Sequence, residues 1–194
     1  MDRMTTLQPA ASPHPLTDFS PPTPPLVWCV GAHGGAGTTF LASSLAPAFD
    51  CGQSWPVIDG DRSPFVVIVA RETMSGLDAA ADLLRQWHTD DALAAHEVLG
   101  VVLMPPARAR RVDREVRGWA TTVSGIAPEV WRLPWVAQWP LARASELPEW
   151  WPGDIPPKKR RSTSDVVPYG VAELGQKIVD SARIYLHEKE NTND

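Results

Sequence analysis

A chain of 194 residues can build one well-packed core with tails, but not two large domains. Its formal net charge of −5 excludes a general attraction to nucleic acid or anionic membranes, so any such contact must be local. We expect a cytoplasmic protein without a membrane segment. The sequence has no basic-then-apolar leader and no run of about 20 apolar residues. Its two cysteines, Cys29 and Cys51, lack metal-ligand spacing and indicate reduced, packed thiols.

Prolines set the expected domain limits. The N-terminal segment ends in SPPTPPL, and proline lacks the backbone N–H that strands and helices use. We therefore predict a disordered Pro-rich tail over residues 1–25 and a single domain over 26–189. Within the domain, residues 137–168 form an irregular segment rich in tryptophan and proline. A disordered end is predicted for residues 190–194.

Apolar runs and amphipathic stretches alternate along the domain. Leu26 to Val30 is apolar throughout, as in a buried parallel strand, and the clearest strand pattern is FVVIVAR, from Phe65 to Arg71. This alternation predicts an α/β fold, a mostly parallel sheet with flanking helices. The further predicted elements are a short helix from Thr38 that stops near Pro47, a short strand that ends at Asp59, strands over 96–104 and around Trp131, and helices over 72–88, 107–123 and 171–189.

A glycine-rich loop follows the first strand, in the sequence VGAHGGAGTT. Glycines let a phosphate approach the backbone N–H groups at the start of a helix, which form an anion site. A threonine hydroxyl there can hold Mg²⁺, and its neighbour can donate one hydrogen bond to a phosphate. The lysine that usually neutralises the phosphates is missing. The predicted nucleotide- or phosphate-binding residues are His33, Gly34, Gly35, Ala36, Gly37, Thr38 and Thr39.

This loop resembles the deviant phosphate loop of the ParA/MinD class of P-loop ATPases, which reads GKGGxGKTT. On that pattern His33 stands at the signature lysine, Thr38 at the phosphate lysine and Thr39 at the Mg²⁺ threonine. PVIDGDR is similar to the second strand of that class, so that Asp59 or Asp61 corresponds to its aspartate. The resemblance implies ATP or another nucleotide, Mg²⁺ held by Thr39 and Asp59, and a homodimer. The loop is also similar to that of an actinobacterial family with the sequence GAHGGAGTT.

The departures from that pattern argue against hydrolysis. Both lysines are replaced, and the segment between Asp59 and Phe65 has no room for a switch helix and a further acidic strand. We therefore expect a degenerate nucleotide- or phosphate-binding protein with little or no NTP hydrolysis, in a process linked to DNA or mobile elements.

Two other functions stay open. In the first, the glycine loop only makes the turn, and the tryptophan- and proline-rich half recruits a protein partner. In the second, the chain is a small NAD(P)-binding oxidoreductase. The glycine spacing also fits a dinucleotide loop, and Tyr185 and Lys189 have the Tyr-x-x-x-Lys spacing of short-chain dehydrogenases.

A basic cluster in the irregular segment offers a local contact to nucleic acid. Lysine and arginine in a proline-flanked loop can bind DNA phosphates without sequence preference. The predicted DNA-contacting residues are Lys158, Lys159, Arg160 and Arg161.

Overall fold

The computed structural model describes residues 13–106, 112–154 and 166–192. The strands within these ranges are β1 (Leu16–Thr17), β2 (Val27–Gly31), β3 (Ala48–Asp50), β4 (Trp55–Pro56), β5 (Phe65–Arg71), β6 (Glu97–Met104) and β7 (Val130–Arg132). The α-helices are α1 (Thr38–Ser43), α2 (Met74–Thr89), α3 (Arg114–Ser124) and α4 (Tyr169–Thr192). Short 3₁₀ turns cover Asp91–Leu93, Trp139–Leu141 and Ala144–Glu146.

A five-stranded sheet in the order β3-β2-β5-β6-β7 forms the centre, and every pairing in it is parallel. This confirms the predicted α/β fold. Successive side chains of a strand point to opposite faces, so β5 supplies both layers of the core. Val67 and Val69 pack on the side of α1 and α4, and Val66 and Ile68 pack on the side of α2 and α3. Burial on both faces explains why this strand is apolar nearly throughout.

The described part of the irregular segment, residues 137–154 and 166–168, packs onto the sheet face that carries α4. Trp150 is 1% exposed, and its backbone forms an isolated parallel β-bridge with that of Leu45, just after α1. A Cβ atom added at Gly175 in α4 would lie 2.5 Å from Cε3 of Trp150, so glycine is what lets the indole approach the helix. Trp150 therefore acts as a core anchor.

The second strand of the sheet is not the predicted one. The predicted second strand ends at Asp59, but the strand that follows β2 and pairs with it is Ala48–Asp50, with Cys29 opposite Asp50. Trp55–Pro56 pairs with β1 in a separate two-stranded sheet.

The predicted disordered tail is wrong for its second part. Residues 13–25 lie against the domain: β1 pairs with β4, and the Phe19 ring packs against Trp28 and Phe49 at centroid distances of 6.4 and 5.5 Å. Proline has no backbone N–H to donate, but its carbonyl oxygen still accepts. The Pro15 carbonyl accepts the backbone N–H of Trp55. At the other end of the chain, α4 continues to Thr192, into the predicted disordered end. Among the described residues, no helix has the length and hydropathy of a membrane span.

Candidate functional site

The glycine loop lies at the edge of the sheet where the parallel strands end. In open α/β sheets this edge is where ligands bind. A cleft of about 490 Å³ opens there between the loop and the end of β3. All the predicted loop residues, His33 to Thr39, line it. The cleft is completed by Phe40, Asp50, Gly52, Gln53 and Arg71.

Two loop glycines are required by the backbone. Gly35 and Gly37 have φ angles of 77° and 99°, in the left-handed region that disfavours other residues. Gly37 precedes α1 directly, and a Cβ atom there would also lie 2.8 Å from Cε of Met104. Gly34 has no positive φ, and an added Cβ would meet only Gln53 Nε2 at 3.8 Å. Its missing side chain therefore keeps the cleft wide.

Thr38 does not offer its hydroxyl to the cleft as predicted. The side chain is turned under the loop, because a Cβ added at Gly31 would lie 2.5 Å from Thr38 Oγ1. The residue is 7% exposed. As the first residue of α1, Thr38 has a backbone N–H with no acceptor inside the helix. Its contribution to anion binding would come from that N–H group.

His33 has both ring nitrogens occupied. Nδ1–H donates to the carbonyl oxygen of Gly34 at 2.9 Å, and Nε2 accepts the backbone N–H of Arg71 at 3.2 Å. Because Nε2 accepts, this arrangement needs the neutral ring. His33 therefore shapes the loop and does not supply the positive charge of the lysine that it replaces.

The cation at the cleft is Arg71, the last residue of β5. Its Nε donates to the carbonyl oxygen of Gly35 at 3.0 Å, and its Nη1 donates to that of Pro105 at 3.0 Å. A guanidinium has further N–H donors beyond these two. The signal in the sequence that points to this residue is its place at the end of the clearest strand pattern.

The carboxylate beside Thr39, the threonine predicted to hold Mg²⁺, is Asp50. Thr39 Oγ1 donates to Asp50 Oδ2 at 2.6 Å, and the Gly52 N–H donates to Asp50 Oδ1 at 2.9 Å. Asp59, predicted for this role, instead forms an ion pair with Arg62 at 3.2 Å. The structure does not bring Thr39 and Asp59 together, because β3 and not β4 adjoins the loop strand. Asp50 was missed because its strand has only three residues.

A second, apolar cavity of about 240 Å³ adjoins the cleft, and we call it the aromatic slot. The cleft and the slot share Gly37, Phe40 and Arg71 as lining residues. The Phe40 ring lies 5.7 Å from that of Trp139, another residue of the slot. The remaining lining residues are Met104, Pro105, Pro134, Trp135, Val136 and Pro140.

The predicted dehydrogenase pair lies at the opposite edge of the sheet. The Tyr185 hydroxyl donates to Glu97, the first residue of β6, and Lys189 Nζ lies 5.6 Å from the centroid of the tyrosine ring. Burial, followed by the bond to Glu97, raises the pKa of Tyr185 to about 12. A dehydrogenase tyrosine would have to stand beside the cofactor, whereas Tyr185 joins α4 to the start of β6, away from the glycine loop.

The cysteines and the basic cluster complete the predicted residues. Cys29 and Cys51 are free and buried. Burial, with the nearby Asp50 carboxylate, raises the pKa of Cys29 to about 12, and burial likewise raises the pKa of Cys51, so both thiols are poor nucleophiles. Residues Lys158 to Arg161 lie outside the described residues. Within the described residues, no group of three or more His, Cys, Asp or Glu side chains could hold a metal by itself.

Comparison with known proteins gives one match. The profile of a family of unknown function, DUF6668, matches residues 25–149, which include the glycine loop, Asp50, Arg71 and every lining residue of the aromatic slot. Neither a search of curated proteins nor a search of solved structures finds a match.

Proposed function

Because the chain belongs to the family of unknown function DUF6668, we propose its activity from the site alone: it binds a nucleotide, or another phosphate compound, with little or no hydrolysis. The observation that carries the proposal is the convergence of three features on one cleft. These are the left-handed glycines of the loop, the Arg71 guanidinium and the Thr39–Asp50 pair.

The phosphate end of the ligand belongs in the cleft. Loop N–H groups and the first residues of α1 provide hydrogen-bond donors, and Arg71 provides the charge that the missing lysine does not. Arg71 is already held by Gly35 and Pro105, so little side-chain freedom is lost when a phosphate binds.

Magnesium fits the same end of the ligand. Mg²⁺ is usually bound by one or two protein oxygens together with substrate phosphates and water, and does not need a complete protein cage. Thr39 Oγ1 and Asp50 Oδ2 are two such oxygens, 2.6 Å apart. When bound, Mg²⁺ would neutralise phosphate charge, and Asp50 would hold it at the β3 side of the cleft.

An aromatic slot next to the phosphate cleft favours a nucleotide over inorganic phosphate. Trp135, Trp139 and the prolines offer flat apolar surface to a base, with Arg71 between the slot and the cleft. Hydrolysis is not expected, since Asp50, the one carboxylate among the described residues that line the cleft, already accepts from Thr39 and Gly52. Within that part of the chain, an attacking water would lack a free base.

Calorimetric titration tests the proposal. ATP, ADP, GTP and NADH are each added with and without Mg²⁺. We expect heat with ATP and ADP and tighter ATP binding with Mg²⁺. No heat from any of them at about 1 mM would overturn the proposal, since such a ligand binds more weakly than about −4 kcal/mol. NADH binding that ignores Mg²⁺ would instead favour the oxidoreductase function.

A second candidate is a protein-interaction module in the same cytoplasmic setting, with the loop as a relic. Leu141 is 88% exposed and Trp151 is 59% exposed. Leu141 lines an apolar groove of about 330 Å³ formed by the irregular segment and the residues before α4. Exposed apolar clusters of this kind often mark interfaces. From the basic cluster we also propose that Lys158 to Arg161, which lie outside the described residues, bind DNA without sequence preference, and from the ParA/MinD resemblance that the chain forms a homodimer.

A further inference from the structure

The segment from Pro13 to Phe19, which we call the N-terminal strap, reaches the strand that feeds the glycine loop. His14 Nε2 lies 3.0 Å from the carbonyl oxygen of Gly31, the last residue of β2. A carbonyl only accepts, so Nε2–H is the donor. The strap lies before the residues that match the family, which begin at residue 25. We propose that the strap fixes the glycine loop, with His14 as the positioning residue.

The strap is docked by several bonds besides that of His14. Gln86 of α2 binds the His14 backbone twice: its Oε1 accepts the N–H at 3.1 Å, and its Nε2 donates to the carbonyl at 3.0 Å. The same Oε1 also accepts the Trp55 indole N–H at 3.1 Å. Trp55 N and Val57 N donate to carbonyls of the strap. The imidazole is thus aimed at Gly31 by a backbone that is itself held.

The peptide group between Gly31 and Ala32 is hydrogen-bonded at both of its polar atoms. The Gly31 carbonyl accepts from His14, and the Ala32 N–H donates to the Val69 carbonyl at 2.8 Å. This is the last peptide before the loop turns toward His33, whose ring then accepts the Arg71 N–H. Peptide planes rotate as units, so a fixed plane here sets the direction in which the loop N–H groups leave the strand. Without the His14 bond, only one side of the plane is held.

The test compares variants of His14 in the full chain. His14→Phe keeps an aromatic ring without the donor, and His14→Gln restores an amide N–H of similar reach. The matched control is Asp18→Ala, which removes the exposed ion pair of the strap with Arg62 and leaves the His14 bond. Amide hydrogen exchange is followed by residue, and the nucleotide dissociation constant is measured by calorimetry.

We expect His14→Phe to speed exchange over residues 31–37 by roughly 3- to 10-fold, the range that one ordinary hydrogen bond allows, with the β5 and β6 amides unchanged. The nucleotide dissociation constant should rise by a similar factor. His14→Gln should restore both values, and Asp18→Ala should change neither. Unchanged exchange at residues 31–37, or equal acceleration across the whole sheet, would overturn the inference.

The affinity readout rests on the proposed function, whereas the exchange readout does not. If the wild-type chain binds no nucleotide, the proposed function fails and exchange alone decides the role of the strap. If nucleotide binds equally well to all variants while loop exchange changes, the strap fixes the loop as inferred, and only the expected rise in the dissociation constant is wrong.

Discussion

Two hydroxyl–carboxylate pairs stand at opposite edges of the same parallel sheet. Thr39 donates to Asp50 where the strands end, and Tyr185 donates to Glu97 where β6 begins. The first pair lines an open cleft beside glycine backbone and the Arg71 guanidinium. The second is covered by α4 and by the Phe65 ring, which meets Tyr185 edge-on at 5.6 Å.

Strand direction explains why similar chemistry has different surroundings. Each parallel strand delivers its chain to the same edge, where the next helix begins and presents free N–H groups that favour anions. At the other edge helices end, and their carbonyls disfavour anions. The Thr39 pair therefore stands where the proposed phosphate ligand would bind, and the Tyr185 pair joins α4 to the start of β6. The following predictions separate a ligand edge from a structural edge.

Replacing Arg71 should have the largest effect on binding. Arg71→Met keeps the apolar stem and removes the charge, so we expect nucleotide affinity to fall roughly 10- to 150-fold, equivalent to the 1.5–3 kcal/mol of a hydrogen bond to a charged group. Arg71→Lys keeps the charge without the planar fork, so its nucleotide affinity should lie between those of the wild type and Arg71→Met. Calorimetry measures all three proteins. Wild-type affinity in Arg71→Met would remove Arg71 from the site.

The loop glycines should differ from one another in stability. Gly35→Ala and Gly37→Ala force a side chain into the left-handed region, at a cost of about 1–3 kcal/mol each. Gly34→Ala is the matched control, since its φ is not positive and its added Cβ would have space. We expect it to change the free energy of unfolding by less than about 0.5 kcal/mol. Urea unfolding measures each value, and equal losses in all three variants would mean that the loop is not held in this conformation.

Asp50 and Asp59 give a direct test of which carboxylate serves Mg²⁺. Asp50→Asn should abolish the gain in ATP affinity that Mg²⁺ provides, an effect on the order of 10-fold if one of the one or two carboxylate ligands is lost. Asp59→Asn changes only a residue paired with Arg62, and should leave that gain intact. ATP titrations with and without Mg²⁺ decide between them. Loss of the gain in Asp59→Asn alone would restore the assignment predicted from the sequence.

That choice also shows what the sequence could predict. The long apolar run of β5 and the glycine loop have patterns that few other structures produce, and both were located from the sequence. Asp50 ends a strand of three residues, too short to show a period, whereas WPVID reads as a better strand. Trp55–Pro56, the start of that stretch, pairs with Leu16–Thr17, about forty residues earlier, and therefore lies outside the main sheet. A local pattern cannot report such a contact.

Side-chain direction was the other limit. The sequence placed Thr38 and His33 in the loop, and both line the cleft. Their roles depend on rotamers and on partners: Thr38 turns toward Gly31, and His33 is held by Gly34 and Arg71. Arg71, the cation that we propose in place of the lysine, comes from a strand and lies 32 positions after Thr39. Only the folded structure shows that a residue of β5 lies beside the glycine loop.

At the structural edge, Tyr185→Phe should affect stability and spare binding. Loss of the hydroxyl removes the bond to Glu97, and we expect the free energy of unfolding to fall by about 0.5–1.5 kcal/mol at neutral pH. Nucleotide affinity should equal that of the wild type, because the pair lies across the sheet from the cleft. Reduced affinity in this variant would contradict the assignment of separate roles to the two edges.

The same variant has a defined pH signature. Folding raises the pKa of Tyr185 from its ordinary value of 10 to about 12, mainly through burial, so the protonated phenol is favoured in the folded state. This stabilisation is fully present below pH 10 and is lost as the pH rises through about 12. The difference in urea midpoint between wild type and Tyr185→Phe should therefore shrink over that interval. A constant difference between pH 10 and about 12 would mean that neither burial nor Glu97 raises the pKa of the phenol in the folded state. The apolar contacts of α4 with the sheet would then be its anchor.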